Sequence, residues 1–299
     1  MNLTTLKAKY QNTEVEQYPS STPDSPLVSV CVQTYQHAGY IKQCLDGILS
    51  QRVNFEFEIL LGEDGSTDGT REICLEYAKA YPNRIRLILH KRENNILVDG
   101  KPTGRFNFLY GIFSAKGKYI ALCEGDDYWT EPEKLTSQVM CLENDETVQM
   151  CFHDAFFNRN NENQKRFTDR FSFLLNHEYF ATTDILSNKW FVPTASIMFR
   201  NKLTVPVWFC DIKGGDYAII YLNSCLGRIK FLNFAGSVYR INDGGIAKQP
   251  DAIKRLISRK HEIEVYVRNL PWKYKRYALQ WYISVIRRIP LRYLLKSGL

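Results

Sequence analysis

The chain has 299 residues, of which 44% are hydrophobic and 24% are charged, the composition of a globular protein with a substantial core. Its eight cysteines show no CxxC spacing and most lie in apolar stretches, which argues against a disulfide framework or a zinc site and favours a reducing, cytoplasmic compartment. No apolar signal-peptide core is visible near the N-terminus, and no apolar run reaches the roughly 18 residues of a membrane-spanning helix.

The net charge of +7 is unevenly distributed along the chain. Residues 252–299 hold twelve Lys or Arg against two Glu, a local balance of +10, which leaves −3 for the other residues. This asymmetry predicts a slightly acidic body with a basic tail.

The first half of the chain alternates strands and helices. Residues 1–25 end in a Ser/Pro cluster and are predicted to form a flexible lead. After them the apolar pattern predicts, in chain order, strand 27–33, helix 40–51, strand 57–61, helix 68–81, strand 85–89, a mobile polar loop 90–104, helix 105–115, strand 119–123 and helix 131–144. This alternation predicts an α/β fold with a mainly parallel sheet and helices on both faces.

The second half is less regular. Its pattern predicts strand 148–157, an exposed turn 158–164, strand 192–199, helix 216–226, and short strands 229–232 and 237–241. The last fifty residues have the spacing of two amphipathic helices separated by Pro271, a C-terminal helical extension.

An acidic turn follows the strand at 119–123. Glu124, Gly125, Asp126 and Asp127 place three carboxylates within four residues, a crowding that solvent or a bound cation must relieve. Open α/β sheets bind their ligands at the carboxyl ends of strands. Hard oxygen ligands suit Mg²⁺ or Mn²⁺ bridging to a phosphate. An ordinary acidic turn before a helix is the simpler alternative.

Four segments together resemble the family 2 glycosyltransferases with the GT-A (Rossmann-like) fold. They read LVSVCVQTYQHAGYIKQCLDGILSQ, EILLGEDGSTDGT, AKGKYIALCEGDDYWTEPEKL and VYRINDGGI, in the order that the family has them. The match is strong over 26–134, looser to 246, and absent from the lead and tail. The resemblance implies an inverting transfer of a sugar from a nucleotide diphosphate-sugar to an acceptor hydroxyl. It divides a GT-A domain, 26–250, into a nucleotide-binding half, 26–134, and an acceptor half, 135–250, followed by a basic-aromatic tail, 251–299.

The resemblance also implies a pocket for the nucleotide base. Thr34 and Tyr35 match the loop that cups the base, and Glu63 and Asp64 match an acidic pair that contacts uracil. Asp-Asp is commoner at that pair, so Asp64 is the firmer assignment. A carboxylate that accepts from a base N–H suits a uridine nucleotide, although other bases stay open. A mere turn and helix cap is the alternative, since residues 65–68 would supply both.

The donor's sugar and diphosphate would lie nearer the acidic turn. Asn107 matches an asparagine that the family has near the donor, and Arg105 is adjacent to it and able to face the diphosphate. Asp126 and Asp127 match the family's carboxylates for ribose, diphosphate and metal, with the direct metal ligand left undecided between them. Glu124 stands where the family has Asp, so it is only a possible donor contact. The cofactor implied is Mn²⁺ or Mg²⁺, which would stabilise the leaving nucleoside diphosphate.

A catalytic base must lie near the acceptor hydroxyl. Asp216 falls where the family has an acidic residue before a helix, and a helix N-cap is its alternative role. Asp154 and Asp211 are the next candidates for the base.

Three other polar positions belong to the same comparison. Arg240 and Asn242 lie in the family's Y-R-x-H motif, where Asn242 replaces a His that would contact metal or diphosphate. His153 is in a position that often carries a polar acceptor-side residue, and it is equally typical of a structural histidine.

The tail interleaves basic and aromatic residues. These are Trp272, Tyr274, Tyr277, Trp281 and Tyr282 with Lys273, Lys275, Arg276, Arg287 and Arg288. Such a helix suits peripheral contact with an anionic membrane on its inner face, where a glycan or lipid-linked acceptor would be found. Packing of these aromatics on the catalytic body has equal weight. Nucleic acid is not predicted as a partner because none of its usual binding motifs is present.

Three classes of function remain compatible with the sequence. The preferred one is a metal-dependent hexosyl- or N-acetylhexosaminyltransferase of surface polysaccharide or glycolipid synthesis. A non-catalytic, membrane-tethered nucleotide-sugar binding module would account for the departures at Glu63, Glu124 and Asn242. A nucleotidyltransferase is less favoured, because no Gly-rich phosphate loop with Lys or Arg follows the first strand.

Overall fold

The computed structural model describes residues 1–159, 162–188, 190–241, 252–290 and 293. The helices are α1 (Leu3–Tyr10), α2 (Ile41–Leu49), α3 (Thr70–Ala80), α4 (Arg105–Ser114), α5 (Lys134–Asn144), α6 (Phe167–Arg170), α7 (Thr182–Ser187), α8 (Gly215–Ser224), α9 (Ala252–Asn269) and α10 (Trp272–Ile286). The strands are β1 (Glu16–Gln17), β2 (Val28–Thr34), β3 (Phe57–Glu63), β4 (Ile85–Leu89), β5 (Ile96–Val98), β6 (Lys101–Thr103), β7 (Tyr119–Glu124), β8 (Tyr128–Trp129), β9 (Val148–Arg159), β10 (Glu162–Arg166), β11 (Tyr179–Phe180), β12 (Met198–Arg200) and β13 (Arg228–Arg240).

The main sheet has the strand order β1-β4-β3-β2-β7-β12-β9-β13-β11. Its first half, β4-β3-β2-β7, is parallel, and β12 joins this half to the parallel pair β9 and β13 through antiparallel contacts. The expected α/β fold with a mostly parallel sheet is therefore confirmed. Buried apolar runs explain it, because strands covered by helices on both faces need little polar alternation.

The strand register aligns polar residues at one end of the parallel half. Thr34 at the end of β2 lies opposite Glu63, the last residue of β3, and Gln33 lies opposite Glu124, the last residue of β7. Three loops therefore leave the sheet side by side, at the strand ends where open α/β sheets bind ligands.

Helices cover both faces of the sheet. On one face α2, α3 and α5 bury Ile41, Cys74 and Leu135 against Val30 and Leu61. On the other face α4 and α8 pack with β9 and with the C-terminal helices in a larger core, whose members include Phe106, Phe152, Ile219, Tyr266 and Ala278.

The N-terminal segment is ordered, which corrects the prediction of a flexible lead for residues 1–25. Helix α1 buries Leu6 completely in the core around α4, and β1 pairs with β4. The backbone N–H groups of Asn12 and Thr13 both donate to the buried Asn94 side chain, at 2.7 and 2.8 Å. Three separate contacts fix a segment whose polar, Pro-rich composition suggested none.

The predicted mobile loop at 90–104 is also structured. It contains a helical turn at 92–94 and the hairpin of β5 and β6, which turns at Asp99 and Gly100 with φ values of 51° and 70°. Glycine adopts that left-handed backbone without strain, and Asp tolerates it better than most residues do.

Several boundaries from residue 131 onward differ from the sequence prediction. The two short strands at 229–232 and 237–241 are one long strand, β13, interrupted by bulges. In place of the predicted strand 192–199, the strand begins only at Met198 and ends at Arg200, because residues 194–196 form a helical turn. The predicted turn at 158–164 overlaps the end of β9 and the start of β10, and α5 begins at Lys134, after Pro132. A sequence pattern does not distinguish a bulge within one strand from a gap between two strands.

The two predicted C-terminal helices are confirmed as α9 and α10, on either side of Pro271. They pack on each other and on the rest of the protein. Tyr266 and Trp281 contact Tyr217 of α8 at ring-centroid distances of 6.2 and 5.8 Å. Across the ranges that the structure describes, no helix combines the length and apolar character needed to cross a bilayer.

Replacement of Leu6 by Ala tests the packing of α1. We expect Leu6→Ala to lower the free energy of unfolding by about 2–5 kcal/mol, because it removes a fully buried side chain. Urea unfolding of the full chain measures this change. Leu97→Ala is the control, because Leu97 is 61% exposed and should be nearly neutral. Equal stability of wild type and Leu6→Ala would contradict the docking of α1.

Candidate active site

The acidic turn after β7 is held by two backbone hydrogen bonds. The Asp127 N–H donates to the Glu124 carbonyl at 2.9 Å, and the Gly125 N–H donates to the Gln33 carbonyl at 2.9 Å. A Cβ at Gly125 would lie 2.7 Å from Thr34 Oγ1 and 2.9 Å from His37 Nδ1. Glycine is therefore required here, because the turn passes against the loop that follows β2.

Asp127 is buried with one oxygen satisfied. Its Oδ1 accepts from the backbone N–H of Arg240 at 2.8 Å, while Oδ2 has no hydrogen-bond partner among the described residues. Burial above all, and then the charges of Asp126 and Glu124, raise the pKa of Asp127 well above its usual range. A carboxylate in this setting gains from a nearby cation.

The Arg240 side chain packs on the acidic turn. Its Nη1 donates to the Asp126 carbonyl at 2.6 Å, its Nη2 donates to Gln43, and the guanidinium lies 4.3 Å from the centre of the Tyr128 ring. The structure therefore brings Arg240 to the predicted site, where it holds the turn in place. The other predicted residue of this motif, Asn242, lies outside the described residues.

The pKa of Glu124 reflects both the acidic turn and Asp216. Burial first, and then the charges of Asp126 and Asp216, raise the pKa of Glu124 to about 8. Gln33 donates to Glu124 at 3.4 Å. Burial of the Tyr239 hydroxyl, with a smaller contribution from the same carboxylates, raises the pKa of Tyr239. Asp216 therefore lies in one electrostatic neighbourhood with the acidic turn, although α8 is remote from it in sequence.

Asp216 lies in the first turn of α8 and is half-buried. No side-chain hydrogen bond caps this helix, so the N-cap role considered for Asp216 is not realised. Of the other candidate bases, Asp154 is buried and accepts from the Thr168 hydroxyl at 2.7 Å, which engages it inside the protein. Asp211 is exposed in the preceding helical turn.

Arg105 supports residues 212–215, the segment that leads into α8 and Asp216. We call this segment the Asp216 loop. It is buried, donates to the carbonyls of Ile212 and Lys213 at 2.8 and 3.0 Å, and stacks on the Phe209 ring at 4.5 Å. A Cβ at Gly215 would lie 1.6 Å from Arg105 Nη1, which explains the glycine before Asp216. The contacts that the structure gives Arg105 are all to the protein, and its diphosphate contact stays a prediction.

The C-terminal helix α9 holds the same loop from the other side. Glu262 accepts from the Gly214 N–H at 2.8 Å, and Ser258 accepts from Lys213 Nζ at 2.6 Å. Lys213 also forms an ion pair with Asp99 of the β5–β6 hairpin at 2.9 Å. The segment before Asp216 is thus fixed by α4, α9 and the hairpin together, and the sequence pattern offered no signal for this arrangement.

A second cluster lies at the ends of β2 and β3. Asp64 is buried, forms an ion pair with Arg92, and accepts from Asn95 Nδ2 at 3.1 Å. The Arg92 guanidinium lies 3.8 Å from the centre of the half-exposed Tyr35 ring. Burial raises the pKa of Asp64 to about 6, against the opposing effect of Arg92. The Asp64 N–H donates to the Thr34 carbonyl at 3.1 Å, which joins the two loops.

Two residues predicted for the donor site point elsewhere. Glu63 is buried, with one oxygen bound to Arg71 at 2.5 Å and the other accepting from the Ser66 N–H at 2.6 Å. Asn107 donates to the Gly62 carbonyl at 2.8 Å and fixes α4 to β3. Both side chains are engaged in the scaffold, which does not support the predicted donor contacts.

Sequence reasoning missed two residues of the site. Arg92 was hidden in the polar segment assigned to a mobile loop, and His37 was passed over beside Tyr35. His37 Nδ1 lies 3.2 Å from Thr34 Oγ1, and its pKa is lowered by burial, against opposing charges that include Asp126. His153, by contrast, is buried with Nδ1 2.7 Å from the Asp154 carbonyl, in the structural role considered for it.

The described residues contain no cluster of three or more His, Cys, Asp or Glu side chains that would enclose a metal ion by themselves. The acidic turn instead offers the adjacent carboxylates of Asp126 and Asp127, of which Asp126 is partly exposed and Asp127 is buried. This donor set fits an Mg²⁺- or Mn²⁺-type ion that completes its shell with water and substrate phosphates.

Comparison with solved structures defines the class of fold. The chain superimposes on S. aureus TarS (residues 1–349, with UDP-GlcNAc) with a TM-score of 0.58 and 16% identity, covering 87% of this chain and 72% of that one. It superimposes on the mannosyltransferase PcManGT of Pyrobaculum calidifontis, crystallised with GDP-Man and Mn²⁺, with a TM-score of 0.55 and 17% identity, covering 99% and 85%. The fold is that of the GT-A glycosyltransferases.

Sequence comparison then gives the family. The model of glycosyl transferase family 2 matches residues 29–204, and the chain belongs to that family. An uncharacterized protein of Mycobacterium tuberculosis, Rv1520, is 32% identical over 220 residues, which cover 73% of this chain and 60% of the relative. An uncharacterized glycosyltransferase of Nostoc, alr2836, is 26% identical over 220 residues, covering 72% and 65%. The chain thus matches less than two thirds of these relatives' lengths.

The bond from Glu262 to Gly214 predicts local protection of the Asp216 loop. We expect Glu262→Ala to speed hydrogen–deuterium exchange in a peptide spanning 212–217 by at least about tenfold, because it removes a charge-assisted acceptor. Glu262→Gln keeps an acceptor oxygen and should retain most of the protection. Glu264→Ala is the matched control on the same helix, since Glu264 pairs with Lys260 instead. Equal exchange in all four proteins would contradict a stabilising role for the hydrogen bond between Gly214 and Glu262.

Proposed function

We propose that this protein transfers a hexosyl or N-acetylhexosaminyl group from a nucleotide diphosphate-sugar, with UDP-sugars preferred, to an acceptor hydroxyl with inversion. The observation that supports the proposal is that the Tyr35–Asp64 cluster and the acidic turn at 124–127 follow the aligned ends of the neighbouring strands β2, β3 and β7. The charge of Asp216 also contributes to the raised pKa of Glu124 in that turn. TarS with UDP-GlcNAc and PcManGT with GDP-Man and Mn²⁺ support a nucleotide-sugar donor by similarity.

The Tyr35–Asp64 cluster suits a nucleotide base. The half-exposed Tyr35 ring offers a face for stacking, and the buried Thr34 precedes it as the last residue of β2. Asp64 accepts from N–H donors, and Arg92 beside it donates. Uracil presents one N–H between two carbonyl oxygens, so an adjacent acceptor and donor match its edge.

The acidic turn suits a divalent cation and the diphosphate. Asp126 and Asp127 would hold the ion, and Asp127 Oδ2, buried without a partner in the described part of the protein, is the observation that fits. The bound ion would supply Lewis-acid stabilisation of the charge on the departing diphosphate. Arg240 fixes the turn through the Asp126 carbonyl, and Glu124 remains a candidate for a donor contact.

Asp216 suits the role of general base. The acceptor oxygen would form a bond to the anomeric carbon while the bond from that carbon to the diphosphate breaks. The hydroxyl proton would pass to the Asp216 carboxylate, which is free of a capping bond. Arg105, Glu262 and Gly215 position the loop but do not reach the reacting atoms in this scheme.

The acceptor we propose is a glycan or a lipid-linked glycan of surface polysaccharide or glycolipid synthesis. A lipid-linked acceptor would place the protein in peripheral contact with the inner face of the membrane. The basic C-terminal helices are the feature that favours this location.

A donor panel with and without Mn²⁺ tests the metal assignment. We expect nucleotide release to need the ion and to be fastest with a UDP-sugar. Asp127→Asn and Asp126→Asn should each lower turnover at least about a hundredfold, because each weakens the hold on the ion and diphosphate. Glu133→Gln, an exposed acid just past the turn, is the matched control.

The same panel separates the alternatives. Wild-type turnover of both variants in excess chelator would overturn the metal assignment. Donor binding without release would indicate a non-catalytic binding module. Pyrophosphate production from a nucleoside triphosphate and a sugar phosphate would indicate a nucleotidyltransferase.

Replacement of Asp216 by Asn tests the general base. We expect kcat to fall roughly 10²- to 10⁴-fold while the dissociation constant of the donor stays nearly constant, because a base acts at the chemical step. Steady-state kinetics and titration calorimetry measure the two quantities. Asp211→Asn is the control and should resemble wild type. A collapse of donor affinity in Asp216→Asn would make Asp216 a donor ligand, and turnover within a few-fold of wild type would move the base elsewhere.

A further inference from the structure

Helix α10 has two different faces. Its inner face packs on the protein through Tyr277, Ala278 and Trp281. Its outer face exposes Trp272 at 87%, Leu279 at 46% and Ile283 at 48%. These three residues and the exposed Arg276 recur every three or four positions, so they form one stripe along the solvent side of the helix. We call Trp272, Arg276, Leu279 and Ile283 the outer stripe.

The outer stripe is flanked only by positive charge within its own segment. Residues 272–290 contain five Lys or Arg and no Asp or Glu. Lys273, Arg287 and Arg288 are exposed beside the stripe. Arg268 of α9 lies next to Leu279, at a shallow depression that Glu264, Val267 and Tyr282 also line, and Glu264 is ion-paired there with Lys260 at 2.8 Å.

Exposed apolar side chains flanked by Lys and Arg suit an anionic lipid surface. Trp, Leu and Ile would enter the boundary between lipid headgroups and acyl chains, while Lys and Arg would face anionic headgroups. A second copy of this chain is a poorer match, because two α10 helices brought together would oppose their positive charges.

We propose that the outer stripe of α10 docks on the surface of an anionic lipid bilayer. This inference rests on the peripheral membrane role proposed above and assigns it to one face of one helix. Helix α9 contacts both α10 and the loop that precedes Asp216, so a single helix connects the proposed docking surface with the candidate site.

Vesicle sedimentation of the full chain tests the proposal. The probes are vesicles of phosphatidylcholine alone and vesicles in which about a third of the lipid is phosphatidylglycerol. We expect binding to the anionic vesicles that weakens as salt is raised, and little binding to the neutral ones. Ile283→Glu and Leu279→Glu should each lower the partition coefficient at least about tenfold, because each removes an apolar contact and adds repulsion.

Leu226→Glu is the matched control, since Leu226 is 53% exposed and lies outside the tail. Thermal melting checks that each variant is folded. The salt dependence of wild-type vesicle binding tests the electrostatic contribution without any substitution. Equal binding to both vesicle types, or stripe variants that bind like the control, would overturn the proposal. The proposal would also be overturned if sedimentation velocity showed a wild-type dimer that Ile283→Glu dissociates. Preferential binding of the wild type to an oligonucleotide over the anionic vesicles would overturn it as well. Nucleotide release in solution reports the catalytic proposal separately, because none of these variants touches the site.

Discussion

The crowding of carboxylates at the end of β7 is the constraint on which the site depends. Glu124, Asp126, Asp127 and Asp216 share a neighbourhood in which burial and mutual repulsion raise the pKa values of Glu124 and Asp127. Such an arrangement opposes the charged forms of its own residues, and only part of that cost is offset by the Arg240 N–H. The proposed cation would offset the remainder, and its binding would then stabilise this region.

Backbone proximity makes this convergence possible. Gly125 lets the acidic turn approach Thr34 and His37, and Gly215 lets the start of α8 approach Arg105. A Cβ at Gly125 would meet Thr34 and His37 at less than 3 Å, and a Cβ at Gly215 would meet the Arg105 guanidinium, so either substitution would displace a neighbouring side chain or its backbone. The glycines act through space and not through turn formation, since neither has a positive φ.

The C-terminal helices are a structural part of the catalytic body. Tyr266 and Ala278 are buried in its core, and Glu262 bonds the loop that carries Asp216. The sequence suggested a choice between membrane contact and packing on the body. The helix geometry allows both, because α10 presents Trp281 inward and Trp272 outward. The division into a body and a separable tail is therefore less sharp than composition indicates.

The sequence by itself determined the alternation of strands and helices, the parallel half of the sheet, the family and the acidic turn. These features depend on local periodicity and on short contiguous motifs, which a linear pattern records directly. The tertiary structure alone decided that Arg92 stacks on Tyr35, that Arg105 and Asn107 contact the scaffold, and that helix α1 packs on the body through Leu6. Each of these outcomes is a contact between residues far apart in the chain. Such a contact is selected by the packing of whole elements, and no local property of the residues involved reports it.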